Sequence, residues 1–169
     1  MKYFFDTEFI EDGKTIDLIS IGIVAEDGRE YYAISTEFKP RKANEWVKKN
    51  VLAHLPPRNP VPFLDSPRHM EESRAWKTRN QIAKEVIVFI GQDPEFWAYY
   101  ADYDWVVLCQ LFGTMMDLPK GWPMYCRDIK QLCDSLGNPR LPEQKDQKHH
   151  ALADARWNRD AYAFLYQKI

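Results

Sequence analysis

Long apolar runs, export signals and paired cysteines are all missing from this sequence. No stretch of its 169 residues is apolar for long enough to span a bilayer, and the first residues lack the basic region and apolar core of a signal peptide. Cys109, Cys126 and Cys133 form no Cys-x-x-Cys pair, and an odd number of cysteines without a framework suits a reducing compartment. We therefore expect a cytoplasmic protein with no membrane partner.

An excess of positive charge is also missing, since 23 Lys and Arg residues face 25 Asp and Glu residues, for a formal net charge of −2. A protein that holds nucleic acid on a broad basic surface needs more Lys and Arg than this. The balance still permits an enzyme whose bound cations supply positive charge locally. The length and the 45% of apolar residues predict one globular domain over residues 1–169, because no linker-like segment divides the chain.

Several common catalytic patterns are absent too. The sequence has no His and Cys cluster at zinc spacing, no Ser or Cys in a nucleophile elbow, and no Gly-rich phosphate loop. It does have a carboxylate pair near its start, where residues 2–10 are predicted to form a strand. A period of two places Asp6 and Glu8 on one face of that strand. Either this face is wet and solvates both groups, or a hard divalent cation neutralises them.

The remaining pattern predicts an α/β fold that opens with an antiparallel meander. Strands are expected at 16–25, 30–35, 95–101 and 123–127, and helices at 44–55, from Ser66 and Pro67 to about 90, 102–113, 128–136 and 150–168. The proline-rich residues 56–67 and the polar residues 138–147 are expected to be loops. The basic residues of the long central helix form either a solvated face or a basic edge near a substrate path: Arg68, Arg74, Lys77 and Arg79.

Further carboxylates belong to the first turns of predicted helices. Asp102 is expected to cap its helix, and Asp104 lies in the first turn, where the helix dipole alone could explain it. Asp154 shares a helical stripe with apolar residues, so its carboxylate needs a partner. His149 precedes Asp154 by five residues and is either a capping or core group or part of the same site.

Carboxylates with one nearby His suit two-metal hydrolysis of a phosphodiester, in which the ions activate water and stabilise the leaving oxygen while the His takes a proton. Three segments carry a resemblance to a family with this chemistry. Phe5-Asp6-Thr7-Glu8, with residues 17–24, looks like the first motif of the DEDDh exonucleases; residues 98–108 are similar to the second, and residues 149–155 to the third, His-x-Ala-x-x-Asp. Tyr99 and Tyr100 stand where the family often has His-Asn, a departure that affects substrate detail rather than a metal ligand.

The resemblance implies a ribonuclease H-like fold with a mixed β-sheet flanked by helices, and release of nucleoside 5′-monophosphates from a 3′ end. It also implies two Mg²⁺ ions, or Mn²⁺, with His149 rather than His150 as general base. Its implied metal ligands are Asp6, Glu8, Asp104 and Asp154. Glu8 would also meet the terminal hydroxyl as a catalytic residue, and substrate contacts are expected at Thr7, Phe9 and Ile10, although Phe9 could equally be strand packing.

Small members of the family include oligoribonucleases and RNase T-like enzymes, and these motifs look most similar to the bacterial polyadenylate-specific exoribonucleases (the RNase AS group). That resemblance implies single-stranded, adenylate-rich RNA 3′ ends as the partner, and a homodimer. Two alternatives stay open. One is an oligoribonuclease-like or DNA 3′-5′ exonuclease, which a requirement for the 2′-hydroxyl would separate. The other is a nucleic-acid-binding module without catalysis, which the full set of site residues and the scarce basic charge argue against.

Overall fold

The fold is organised around β1 (Lys2–Glu11), whose side chains alternate between the two faces of a central sheet. The computed structural model describes residues 1–59, 66–145 and 148–169. β1 pairs antiparallel with β2 (Ile16–Ala25), and β2 pairs antiparallel with β3 (Glu30–Ser35). The predicted opening meander is therefore confirmed, with the predicted bounds for β2 and β3 and with β1 one residue longer than the predicted 2–10.

Three short strands complete a six-stranded mixed sheet in the order β4-β3-β2-β1-β5-β6. They are β4 (Trp76–Lys77), β5 (Glu95–Ala98) and β6 (Arg127–Asp128), and each runs parallel to its inner neighbour. The expected α/β class with a mixed sheet is thus confirmed. β5 is shorter than predicted because the chain turns at Tyr100, where φ is +56°.

Helices cover both faces of the sheet, namely α1 (Glu45–Asn50), α2 (Pro67–Glu72), α3 (Arg79–Ile90), α4 (Asp102–Gln110), α5 (Ile129–Ser135) and α6 (Ala151–Tyr166). Phe5 packs in a core cluster with residues of α3 and α4, whereas Phe4 packs in a second cluster with residues of α5 and α6. Adjacent residues of β1 therefore serve opposite layers, as the period of two requires. No helix in the described ranges is long and apolar enough to cross a bilayer.

The prediction of one long helix from Ser66 to about Ile90 is wrong. A short helix α2, a 3₁₀ turn and β4 precede α3, which begins afresh because the Thr78 side chain accepts a hydrogen bond from the Gln81 N–H at 3.2 Å. The pairing of β4 with β3 outweighs the local helical preference of this segment. Residues 60–65 of the expected loop 56–67, and residues 146–147 of the expected loop 138–147, lie outside the described ranges.

The basic residues of this segment do not form one face. Lys77 pairs with Glu85, and Arg79 pairs with Asp17 of β2. Arg74 is exposed, and the side chain of Arg68 lies outside the described part of the structure. The Lys77 pair joins β4 to α3, and the Arg79 pair joins α3 to β2. These two residues therefore have a structural role and do not form a basic edge along a substrate path.

Asp102 does not cap α4, contrary to expectation. The capping position is Ala101, which has no side-chain cap and whose N–H donates to the Asp128 carboxylate at 2.8 Å. Asp102 is exposed in the first turn of the helix, while Asp104, two residues further on, is 6% exposed. Asp104, and not Asp102, is therefore the aspartate of this turn that faces inward.

Candidate active site

Asp6 and Glu8 lie on the α6 side of β1, and a glycine allows that helix to approach them. Gly22 of β2 is the register partner of Asp6. A Cβ at Gly22 would lie 2.3 Å from the backbone N of Leu152, so only glycine lets the first turn of α6 lie against the sheet here. The buried Asn158 side chain then donates to the Phe5 carbonyl at 2.8 Å. This contact fixes the face of α6 that carries Asp154 beside β1.

Asp104 reaches the same place from the opposite layer. Its Oδ1 accepts hydrogen bonds from the Thr7 backbone N–H at 2.8 Å and from the Thr7 hydroxyl at 2.6 Å. These bonds join β1 to α4 across 97 positions of sequence. Thr7 therefore orients a carboxylate in this structure, and its predicted contact with substrate stays a prediction.

His149 and Asp154 complete the cluster. The Asp154 carboxylate accepts the His149 backbone N–H at 3.0 Å, and His149 adopts a left-handed backbone conformation with φ of +63°. One ligand atom each from Glu8, His149 and Asp154 lies within 4.8 Å of the others. The structure thus brings the two carboxylates of β1, the Asp154 carboxylate of α6 and the imidazole just before α6 into one cluster.

His150 has a different position. Its Nδ1 accepts the Ala153 N–H at 3.4 Å as the cap of α6, and its ring stacks on Tyr32 with centroids 4.6 Å apart. His149 instead lines the cleft, and its ring meets the edge of Trp46 at 4.7 Å. Of the two adjacent histidines, the geometry presents His149 to the carboxylates, in the register that the third motif implied.

Crowded carboxylates perturb one another in this cleft. Burial, and then the charges of Asp104, Glu8 and Asp154, raise the pKa of Asp6 well above its ordinary value. Burial, and then Asp154 and Asp104, raise the pKa of Glu8 to about 8. Burial raises the pKa of Asp104 to about 7 although the Thr7 hydrogen bonds oppose the shift. Burial also raises the pKa of Asp154, against the effect of Gln144 and His149.

This donor set fits divalent cations. Burial first, and for three of the groups the neighbouring carboxylates as well, raise the pKa values of these four acids, and a hard cation, which prefers carboxylate oxygen, would stabilise their ionised forms. Neutral imidazole is also an acceptable neighbour of such an ion. The described residues therefore contain a candidate metal site, with Glu8, His149 and Asp154 in the tightest group.

Two cavities adjoin the cluster, and both are lined by Asp6, Tyr99, His149 and Asp154. The first, of about 480 Å³, is bounded by the loop that precedes α6 and by Trp157. The second, of about 430 Å³, is bounded by further aromatic residues, namely Phe9, Trp46, Tyr100 and Tyr103. The carboxylates are therefore accessible from two adjoining cavities.

Of the residues predicted to contact substrate, Phe9 lines the second cavity, whereas Ile10 is buried in the core. Phe9 lines the second cavity and packs edge-on against Tyr103, with ring centroids 5.9 Å apart. Ile10 is only 2% exposed and packs under α1 with Ala43 and Val47. The register of β1 shifts between Glu8 and Phe9, so Phe9 and Ile10 do not simply continue the alternation of Asp6 and Glu8. A substrate contact at Ile10 does not fit this position.

Sequence reasoning missed three residues near the cluster. Trp46 lies in a segment that matches no motif, and Gln144 lies in a polar loop, so neither carried a signal. Asn158 shared the stripe of Asp154, which was a signal that its side chain turns inward. Gln144 donates a hydrogen bond from its side-chain amide to the Asp154 carboxylate.

Comparison with known proteins decides the family. A family model described as "3'-5' exoribonuclease Rv2179c-like domain" matches residues 66–166 of this chain. The 3'-5' exoribonuclease Rv2179c of Mycobacterium tuberculosis is 48% identical over 160 residues, which are 92% of this chain and 88% of that protein. The chain belongs to the Rv2179c-like 3′-5′ exoribonuclease family. It is therefore a hydrolase, and the predicted kind of enzyme is confirmed.

Solved structures agree with this exoribonuclease in fold. E. coli exonuclease I in complex with a dT13 oligonucleotide has a TM-score of 0.56 at 14% identity, and the match covers 98% of this chain and 40% of that one. The Mg²⁺- and Mn²⁺-bound form of S. pombe Pop2p has a TM-score of 0.50 at 13% identity, over 98% of this chain and 81% of that one. Both share the architecture of this chain, and the expected ribonuclease H-like fold is confirmed.

Proposed function

We propose that this exoribonuclease releases nucleoside 5′-monophosphates one at a time from the 3′ end of single-stranded RNA by a two-metal-ion mechanism. The observation that carries the proposal is the meeting of four carboxylates with His149 in one cleft. Asp6, Glu8, Asp104 and Asp154 would hold two divalent cations, Mg²⁺ or Mn²⁺. The bound ions would supply charge neutralisation at the phosphate and a more acidic water.

The cation requirement has support beyond the donor set. The S. pombe Pop2p structure is described as bound to Mg²⁺ and Mn²⁺, and its fold resembles this one. The Thr7 donors hold the Asp104 carboxylate before any ion arrives. Such second-layer hydrogen bonds orient a ligating group and reduce the reorganisation that binding requires.

His149 is the proposed general base. An imidazole nitrogen accepts a proton efficiently near neutral pH, and this ring faces the carboxylates Glu8 and Asp154. The backbone N–H of His149 is tied to Asp154, and its ring is braced by Trp46. These contacts would hold the acceptor nitrogen near a water that attacks the scissile phosphate, while Glu8 meets the terminal hydroxyl.

The substrate proposal is an RNA 3′ end, preferably rich in adenylate. The second cavity is lined by no Lys or Arg among the described residues, so bases rather than phosphates would meet its aromatic walls. Phe9 and Thr7 lie at this cavity. The preference for adenylate rests on the resemblance to polyadenylate-specific enzymes, and larger purine faces stack well on aromatic side chains.

Two further proposals concern the protein as a whole. We propose a homodimer, on the resemblance to the same group of enzymes, and a cytoplasmic location, on the three free cysteines. Size-exclusion chromatography with light scattering tests the first, and fractionation of cells that express a tagged chain tests the second.

One gel tests the central proposal. Purified protein is incubated with end-labelled RNA and DNA homopolymers of equal length, with Mg²⁺, with Mn²⁺ and with EDTA, and Asp104→Asn serves as the inactive control. A ladder that shortens from the 3′ end, only with metal and fastest on oligoadenylate RNA, is expected. Equal cleavage of DNA would favour the DNA exonuclease alternative, and undiminished cleavage in EDTA would overturn the two-metal mechanism.

A further inference from the structure

The four carboxylates of the cleft are not held alike. Asp104 accepts two hydrogen bonds from Thr7, and Asp154 accepts one from the Gln144 side chain on Oδ1 and one from the His149 N–H on Oδ2. Within the described ranges, no protein donor reaches the carboxylates of Asp6 or Glu8. Hydrogen bonds from the protein therefore orient the carboxylates of Asp104 and Asp154, and none from the described residues orients the other two.

Gln144 is brought to Asp154 by the loop that precedes α6. The Trp157 indole N–H donates to the Pro142 carbonyl at 2.9 Å, which anchors this loop on α6 two residues before Gln144. Leu141 packs against the core cluster of α5 and α6. The amide of Gln144 thus arrives on an anchored backbone, and it lines the first cavity together with Asp154.

The same carboxylate also ties the loop that carries His149. Asp154 accepts a donor at residue 144 and another at residue 149, so it bridges both ends of a six-residue segment. Loss of the Gln144 donor would remove the restraint on Oδ1, so rotation of the carboxylate about its last torsion angle would be less restricted. It would also leave the His149 N–H as the remaining tie between that segment and Asp154.

We propose that Gln144 is a positioning residue of the cation site, which fixes the Asp154 carboxylate and the adjoining His149 turn in the orientation that receives the ions. The inference rests on the proposed cation site. Hydrogen-bond partners of metal ligands affect metal affinity or activity by about 10–100-fold in proteins. A neutral amide suits the role, because it donates a hydrogen bond to the carboxylate without competing with the metal ion for its negative charge, as a cationic side chain would.

The test compares Gln144→Met, which keeps the length and bulk of the side chain but removes the donor, with Gln144→Ala, which removes both. Gln110→Met, at an exposed position of α4, is the matched control. Mn²⁺ binding is measured by titration calorimetry and by the electron paramagnetic resonance signal of the free ion. The Mn²⁺ concentration that gives half-maximal cleavage of oligoadenylate is measured in parallel, with circular dichroism as the check on folding.

We expect both Gln144 variants to bind Mn²⁺ about 10–100-fold more weakly, to need correspondingly more Mn²⁺ for half-maximal rate, and to recover most of the wild-type rate at saturating Mn²⁺. Wild-type affinity in Gln144→Met would overturn the inference, because the donor would then be irrelevant. An effect confined to Gln144→Ala would also overturn it and would assign a packing role. Absence of Mn²⁺ binding by the wild-type protein would instead remove the proposed cation site itself.

Discussion

Burial of the Glu8 carboxyl group, together with the charges of its neighbouring carboxylates, predicts that Glu8→Gln stabilises the metal-free protein. The pKa of Glu8 rises from 4.5 to about 8 through burial and the neighbouring charges of Asp154 and Asp104. Each pKa unit corresponds to about 1.4 kcal/mol, so ionising Glu8 in the folded protein near pH 8 costs on the order of 3 kcal/mol after allowance for its partial contact with water. Gln at this position removes that cost.

The sign of the pH dependence follows from the same shift. A carboxyl whose pKa is raised on folding destabilises the protein at high pH, and the folded state recovers stability by taking up a proton as the pH falls from about 8 toward 4.5. In EDTA, the wild-type protein should therefore gain stability between pH 8 and pH 6. The gain from Glu8→Gln should be largest at pH 8 and should shrink as Glu8 becomes protonated.

The assay is thermal unfolding in EDTA at pH 8, 7 and 6, followed by circular dichroism. A gain of about 3 kcal/mol corresponds to a rise in Tm of about 6–12 °C for a protein of this size. Glu45→Gln, at a largely exposed position paired with Lys48, is the control and should change Tm little. An unchanged or lower Tm for Glu8→Gln at pH 8 would refute the reasoning, as would a wild-type Tm that falls between pH 8 and pH 6.

Three other predictions use separate contacts. Asp104→Asn should nearly abolish cleavage of labelled oligoadenylate, whereas Asp102→Asn should leave it near wild type, and the reverse result would show that the wrong aspartate was chosen. His149→Ala should lower kcat by a factor of about 100 or more with Mn²⁺ affinity little changed, as expected for a lost general base. His150→Ala should instead lower the free energy of unfolding, measured by urea titration, by about 1 kcal/mol, because it removes the cap of α6. Gly22→Ala should cost about 3 kcal/mol or more in the same urea titration, because its Cβ would overlap the backbone of α6, and a wild-type midpoint would contradict that close approach.

Periodicity predicted the central elements well because their local and tertiary preferences agree. β1, β2 and β3 were predicted almost to the residue, since their apolar patterns match burial in a sheet. The segment before α3 was not, because its helical pattern conflicts with the pairing of β4 to β3. The register shift between Glu8 and Phe9 was not predicted either, because alternation of apolar residues carries no signal for a bulge.

The sequence by itself determined the chemistry available to this exoribonuclease: a carboxylate pair on one strand, two more on helices, and a His before the last of them. It also carried the motif spacing that pointed to the family. The motif spacing also singled out Asp104 over Asp102 and His149 over His150. Only the tertiary structure decided which contacts hold these groups: Thr7 donates to Asp104, the His150 ring stacks on Tyr32 while His149 lines the cleft, and Gln144 donates to Asp154. Inward direction at these positions depends on contacts between distant segments, such as Thr7 with Asp104 and Gly22 with Leu152, and no local pattern of residues encodes those contacts.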